Sequence, residues 1–216
     1  MKYKFLFISR LLIVFSLCAA AVTTATAQSA RTVLDRTAAR MTKSGDVKAQ
    51  FKATQFSGST PQGESKGTLF LSGSKFKMTT DEMTSWYNGI TEWTMMTGSD
   101  EVNVTAPTEE EQASINPATL VSIYKKGYRF TLAESTLRGK STYVVYMKAK
   151  NKKAAFTDIV VDVDKATYDP LCFRAKKDGN WMRLAVLSFQ CGLSLPPSTF
   201  IFPSKDYPDV EIIDLR

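Results

Sequence analysis

The sequence predicts a mainly β fold of the α+β kind, built on antiparallel sheet. Three observations carry this. First, about ten or eleven short runs have strand character, against two convincing helical stripes. Second, turn signals at Asn88-Gly89, Arg138-Gly139-Lys140 and Asp178-Gly179 join neighbouring runs as hairpins. Third, the stretch Gly67 to Trp93 reads as a meander. Leu69-Phe70-Leu71 is followed by the turn Ser72-Gly73-Ser74, and Phe76 and Met78 then alternate with Lys75 and Lys77. Trp86-Tyr87 runs into Asn88-Gly89, and Trp93 and Met95 alternate with Glu92 and Thr94. Alternation places Leu69, Leu71, Phe76, Met78, Trp93 and Met95 on one face. That face carries Phe, Met and Trp rather than Val and Ile, so it is soft and wide, fit for a core or for an apolar binding surface.

The chain has 216 residues, 44% of them hydrophobic and 23% charged, enough for one domain with a real core. Its start has the form of an export signal. Lys2, Lys4 and Arg10 precede the apolar run Leu11 to Val22, and Ala25-Thr26-Ala27 matches a cleavage site. Residues 1–27 are therefore expected to be removed and 28–216 to form the mature domain. Cys18 raises a lipoprotein alternative, but Leu17 before it is larger than lipoprotein processing prefers. Loss of Lys2, Lys4 and Arg10 lowers the formal charge from +7 to +4. The basic residues are scattered, and no nucleic-acid partner is expected. The exception is the group Lys148, Lys150, Lys152 and Lys153, which reads as a solvated turn or as a docking patch for an acidic membrane or partner.

Ser29 to Ser44 reads as a helix, with Val33, Leu34, Thr37, Ala38 and Met41 on one stripe. Val47, Ala49, Phe51 and Ala53 then alternate with polar residues as a half-buried strand. Ser57 to Ser65, rich in Gly, Ser and Pro, reads as a hairpin loop. Val102 and Val104 mark another strand, and the polar run 107–115 a loop. Asn116-Pro117 opens a second helix, stopped by Gly127. From Tyr128 onward the chain reads as successive strands: 128–134, 142–148, 157–164, 171–177 and 181–190, then Phe200 to Phe202 and Val210 to Ile213. Two sheets could bury each other as a sandwich. One large sheet would need its apolar face covered by the helices and long loops, which are small for that task.

The chain has no histidine, which excludes Ser-His-Asp and Cys-His catalysis and the commonest zinc and iron ligand sets. Asp162-Val163-Asp164 has metal-binding form, its carboxylates about 7 Å apart on one strand face. The plainer reading is a solvent-facing edge opposite Ile159, Val161 and Val163. A hydrolase based on these two carboxylates lacks a nucleophile motif; no enzyme activity, metal or cofactor is expected. Cys172 and Cys191 are the cysteines of the mature chain. A turn at Asp178-Gly179 pairs Cys172 with Ala185 and leaves Cys191 about 20 Å further on, beyond the roughly 7 Å that a disulfide spans. Free thiols are expected.

Several motifs, in order, resemble the outer-membrane lipoprotein carrier proteins, the LolA family, over nearly the whole mature chain. Val47-Lys-Ala-Gln-Phe51 resembles the family's opening strand, and Gly67-Thr-Leu69-Phe-Leu71 and Lys75-Phe76-Lys-Met78 the two that follow. Asn88-Gly89-Ile-Thr-Glu-Trp93 is similar to its D-G-x-x-x-W. Asn116-Pro117-Ala-Thr-Leu120 resembles its later helix, and Phe200-Ile-Phe202 with Pro208-Asp209-Val210 its closing motif, Asp209 standing where Gly is usual. The resemblance implies a single large curved antiparallel sheet forming an open half-barrel, its apolar concave face covered by two or three helices. It implies a monomeric periplasmic chaperone that carries acylated lipoproteins from an inner-membrane releasing transporter to an outer-membrane acceptor. Phe51, Leu69, Leu71, Phe76, Met78, Trp93 and Met95 would line the acyl-chain site, with Phe76 at the cavity entrance. A lipid-binding or envelope-sensing module of the same fold, without delivery, is the alternative. One departure bears on this: Ser72-Gly73 stands where the family carries the Arg-Pro linked to one-way transfer.

Overall fold

A computed structural model describes residues 29–108, 111 and 127–216. Helix α1 spans Ala30–Thr42. Twelve strands follow: β1 Asp46–Ser57, β2 Thr60–Ser72, β3 Lys75–Thr80, β4 Met83–Tyr87, β5 Glu92–Met96, β6 Glu101–Thr105, β7 Tyr128–Leu137, β8 Lys140–Ala149, β9 Asp158–Asp164, β10 Pro170–Lys177, β11 Asn180–Leu193 and β12 Glu211–Asp214. All belong to one sheet, in the order β12-β6-β5-β4-β3-β2-β1-β11-β10-β9-β8-β7.

Two meanders, β1–β6 and β7–β11, are joined where β1 pairs antiparallel with β11. Irregularities in that pairing lie between Asp46 and Lys48 and between Gln50 and Phe51, where an extra residue bends a strand. Tight turns at Arg138-Gly139 and Asp178-Gly179 fix the hairpins β7–β8 and β10–β11, with Arg138 and Asp178 in the left-handed region that such turns demand.

Helix α1 forms where the apolar stripe predicts. The Ser29 hydroxyl accepts from the Thr32 amide at 3.1 Å, and the Lys43 amide donates to the Ala39 carbonyl at 2.8 Å. Val33, Leu34, Thr37 and Met41 are its buried residues. The helix lies across the strands. It touches β1 and β2 on one flank of the junction and β7 and β8 on the other. Its link to β1 is short, and at Gly45 a Cβ would sit 2.8 Å from the Gly192 Cα. The backbones of the helix exit and of the β11 end touch there, and a side chain would part them.

The structure corrects several expectations. The sheet is mixed, because β12 pairs parallel with β6. Residues 57–65 are mostly strand: only Gly58-Ser59 turns, and Ser57 pairs with Thr60. Cross-strand contacts such as Lys52 Nζ to Glu64 Oε1 at 2.9 Å override the poor strand propensity of this run. Phe200 closes a 3₁₀ turn, Pro197–Phe200, rather than opening a strand, since prolines at 196 and 197 leave too few amide donors. Strand β9 lies between β8 and β10, so Asp162 and Asp164 are internal rather than on an edge. The helix expected at 116–126 lies outside the described residues, as do residues 1–27; α1 is the one helix of any length among the described residues. Among the described residues one covering helix is seen, and the two or three expected are not confirmed.

The β10–β11 register places Cys172 opposite Ala185, as the turn position predicted. Cys172 and Cys191 are free. Burial, followed by the nearby Asp162 charge, pushes the Cys172 thiol up to about 11. In the native protein at neutral pH, Cys172 should resist a thiol reagent. After denaturation without reductant, both Cys172 and Cys191 should label, as read by mass spectrometry. A denatured chain in which neither labels would mean that they pair.

Candidate functional site

Alternation along paired strands separates the sheet into two faces, and α1 covers one of them. On that face Val47 pairs with Leu71, Ala49 with Leu69 and Phe51 with Gly67; Leu69 in turn opposes Met78, and Leu71 opposes Phe76. The same face continues through Val186, Leu184, Phe173, Val161, Ile159, Val145 and Met147 to Phe130. Together with Val33, Leu34 and Met41 of α1 these residues form one continuous core. Thus Phe51, Leu69, Leu71, Phe76 and Met78, all named from sequence, come together.

Trp93 and Met95 do not join them. Strand β4 lies between β3 and β5. Tyr87 faces Phe76 and Glu92, whereas Trp86 faces Trp93 and Thr84 faces Met95. Trp93 and Met95 therefore lie on the opposite face, packed with Trp86, Val102, Phe202 and Val210 in a second core. The loop at residues 88–91 joins β4 to β5. It is not a two-residue turn: the Asn88 side-chain oxygen accepts from the amides of Ile90 and Thr91, each at 2.9 Å, which spends four residues on the reversal. That puts Glu92 beside Tyr87. A two-residue turn would leave the facing the same, so Trp93 lies off the helix-bearing face because Tyr87, not Trp86, faces Phe76.

Among the described residues the part of the helix-bearing face beneath α1 is tightly packed. Phe76 has no exposure, its ring 5.4 Å from that of Tyr87, so it stands inside the core rather than at an entrance. A cavity of about 10 Å³ remains under the C-terminal half of α1. It is lined by apolar residues alone, among them Met41, Phe51, Leu69, Leu71, Phe173 and Phe189. It could hold about one water-sized body, where ligand pockets usually measure about 300–1,000 Å³.

Polar contacts tie the helix at its rim. Arg40 Nε donates to Asp169 Oδ1 at 2.7 Å, and this bond raises the Arg40 pKa further. Arg36 donates to the Tyr168 hydroxyl at 2.9 Å with its guanidinium 4.8 Å from the ring centre. Arg31 stands 5.9 Å from the Phe130 ring centre. Below this rim the contacts are apolar apart from Thr37, which is fully buried with its Oγ1 making no hydrogen bond among the described residues.

One acid intrudes on the apolar face. Glu92 is 5% exposed and its Oε1 makes no hydrogen bond among the described residues. Burial pushes its carboxyl above the ordinary value; a hydrogen bond from Ser85 opposes this, and the like charge of Glu111 adds to it. Nothing in the sequence singled this residue out, because Glu92 occupies the polar slot of an alternating run. By contrast the Asp162–Asp164 pair is accounted for structurally. Arg174 donates to Asp162 Oδ2 at 2.8 Å and Lys140 to Asp164 Oδ2 at 2.7 Å. No group of three or more metal-ligating side chains occurs among the described residues.

Two measurements test this geometry. A Cβ on Gly67 would lie 2.5 Å from both Phe51 Cζ and the Thr79 carbonyl oxygen, and the latter, being backbone, cannot step aside. Gly67→Ala should cost about 1–3 kcal/mol in denaturant unfolding. For Glu92, a folded-state pKa above the ordinary 4.5 means that the native protein binds more protons than the unfolded chain between those two values. Its contribution to stability therefore falls as pH rises through that window. Glu92→Gln should melt above wild type at neutral pH, with the advantage gone below about pH 4. A pH-independent difference would show that burial does not shift this carboxyl.

A family model described as "Outer membrane lipoprotein carrier protein LolA" matches residues 20–179. No curated protein matches the chain. Among solved structures the chain is similar to a LolA superfamily protein of Nitrosomonas europaea, at 10% identity, covering 82% of this chain and 99% of that one, with a TM-score of 0.44. It is similar to a putative outer membrane lipoprotein-sorting protein domain of Vibrio parahaemolyticus, at 14% identity over 80% and 97% of the two chains, TM-score 0.42. A chain of the Pseudomonas aeruginosa MucA/MucB complex aligns at 13% identity over 82% and 62%, TM-score 0.45.

Proposed function

The chain belongs to the outer membrane lipoprotein carrier protein LolA family, and from that premise we propose that it is an acyl-chain-binding carrier of the periplasm. Residues 1–27 act as the export signal and 28–216 as the carrier domain. The cargo is acylated lipoprotein, taken from an inner-membrane releasing transporter and handed to an outer-membrane acceptor. The activity is binding and release, with no chemical step.

The observation that carries this reading is the helix-bearing face. It is apolar across two meanders, and among the described residues α1 is the one helix laid over it. Phe51, Leu69, Leu71, Phe76 and Met78 form its floor on the β1–β3 side. Trp93 and Met95 are on the other face and would not contact an acyl chain held there. Among the described residues the space beneath α1 is filled by side chains, with a cavity of about 10 Å³, so an acyl chain taken up beneath α1 requires the helix to lift. The rim contacts Arg40–Asp169 and Arg36–Tyr168 act as the latch. Each CH₂ taken out of water is worth about 0.8 kcal/mol, and the same contacts within the protein set what a ligand must displace.

One observation favours a second reading, a lipid-binding or sensing module without delivery. The β2–β3 turn holds Ser72-Gly73, with Gly73 at φ 60°, where the family's Arg-Pro would stand.

Displacement of a fluorescent fatty-acid probe tests acyl binding. Wild type should bind the probe, and acylated lipid or lipoprotein should co-purify from the periplasm and be visible by mass spectrometry. Arg40→Ala removes a partly exposed ion pair worth at most about 1 kcal/mol, so in stopped flow it should speed probe uptake by about two- to fivefold with little loss of fold. A wild type that binds no probe and carries no lipid would sink the carrier reading. Uptake unchanged in Arg40→Ala would remove the latch from it.

A further inference from the structure

The face opposite α1 carries a groove of about 580 Å³ over β7–β11, lined by Arg129, Tyr146, Lys148, Asp158, Arg174 and Trp181. The strand register explains its charge. Arg129, Lys148, Asp158, Lys176 and Trp181 stand in one row across five adjacent strands, a width of about 19 Å at about 4.8 Å per strand. The row lies at the end of the sheet from which the β8–β9 connection and the β10–β11 turn project. Those two segments add Lys150, Lys152, Lys153 and Lys177, all exposed.

Among the described residues this end therefore holds seven cations, against the carboxylates of Asp158 and Asp178 and that of Glu111, whose charge is felt at Lys177. Asp162 is not available to offset them, since Arg174 already donates to it. Asp158 accepts from the Thr157 hydroxyl at 2.9 Å. Arg129, Lys148, Lys150, Lys152, Lys153, Lys176 and Lys177 make no ion pair among the described residues. Like charges gathered on three separate segments repel one another, and nothing in the fold requires them there.

We propose that this basic end, with Trp181 and Tyr146 in its groove, is a docking surface for an anionic phospholipid membrane, separate from the acyl-chain face. Three features favour a membrane over a single anion or an acidic polypeptide. The cations are spread over about 19 Å and sit on exposed, projecting tips, which suits a plane of charge rather than one phosphate. The guanidinium nearest the groove floor, Arg174, is already held by Asp162, so no pocket is built for a lone anion. Trp181 and the 45%-exposed Tyr146 bring amphipathic rings beside the cations, the combination suited to a headgroup layer.

Co-sedimentation of the purified protein with vesicles tests this. Phosphatidylcholine vesicles containing roughly one-third phosphatidylglycerol should carry the protein down at low salt. Pure phosphatidylcholine should not, and salt at about 0.5 M should release it. The triple variant Lys150→Glu, Lys152→Glu, Lys153→Glu should lower the bound fraction by more than about tenfold, while its melting temperature and its binding of the fatty-acid probe stay at wild-type values. Trp181→Ala should weaken vesicle binding without changing its salt dependence. Equal sedimentation with both lipids, none with either, or a triple variant that binds like wild type would overturn the proposal. So would capture by immobilised polyglutamate without sedimentation on anionic vesicles, which would give the surface to an acidic polypeptide instead.

Discussion

The pairing of β1 with β11 is the constraint on which the rest of the structure depends. These two long strands, of 12 and 14 residues, bring chain segments together that lie far apart in sequence and make one sheet of two meanders. Each meander alone is local and quickly formed, but neither buries its apolar face. The junction is non-local, and its entropic cost must be met before its contacts form. Its two irregularities bend the sheet where α1 crosses, and the Leu195 amide donates to Asp46 Oδ2 at 2.6 Å to fix the end of the seam. Because α1 leads directly into β1, the helix is placed over the same seam. Gly45 against Gly192 marks how closely the two chains approach there.

An open sheet has two edges, and each is managed differently. Strand β12 is four residues long, mostly exposed, and carries Glu211 and Asp214. It caps β6 in parallel after the chain crosses Trp86 with Phe202, their rings 5.4 Å apart in an edge-to-face contact. Strand β7 ends the sheet on the other side with exposed Arg129, Thr131 and Glu134. Short length on one side and charge on the other discourage pairing with another chain.

Much of this was legible in the sequence, and what was not has physical causes. The α1 stripe, the Asp178-Gly179 register that sets Cys172 opposite Ala185, and the separation of Asp158, Asp162 and Asp164 from Ile159, Val161 and Val163 all follow from local periodicity and turn chemistry. The shared face of Phe51, Leu69, Leu71, Phe76 and Met78 follows too, because a short turn keeps count between strands. Trp93 and Met95 lie on the other side because Tyr87, not Trp86, faces Phe76 on the intervening strand β4, and a reversal of any even length then keeps Trp93 with the Trp86 face. The strand at 60–65 and the parallel pairing of β12 depend on partners distant in sequence, which no window of residues reveals. Glu92 looked like an outward polar residue because alternation says which way a side chain points but not what is packed over it.

The filled state of the helix-bearing face has a thermodynamic consequence. A ligand entering it exchanges one set of apolar contacts for another, since Met41, Leu71, Phe173 and their neighbours are already out of water. The apolar area newly removed from solvent is then mostly the ligand's own. The heat-capacity change on binding should accordingly track the ligand's chain length and be nearly indifferent to the protein surface it meets. Affinity becomes a small difference between two comparable burials. In the proposed carrier role, such a face would compete with its own ligand and so keep that ligand exchangeable.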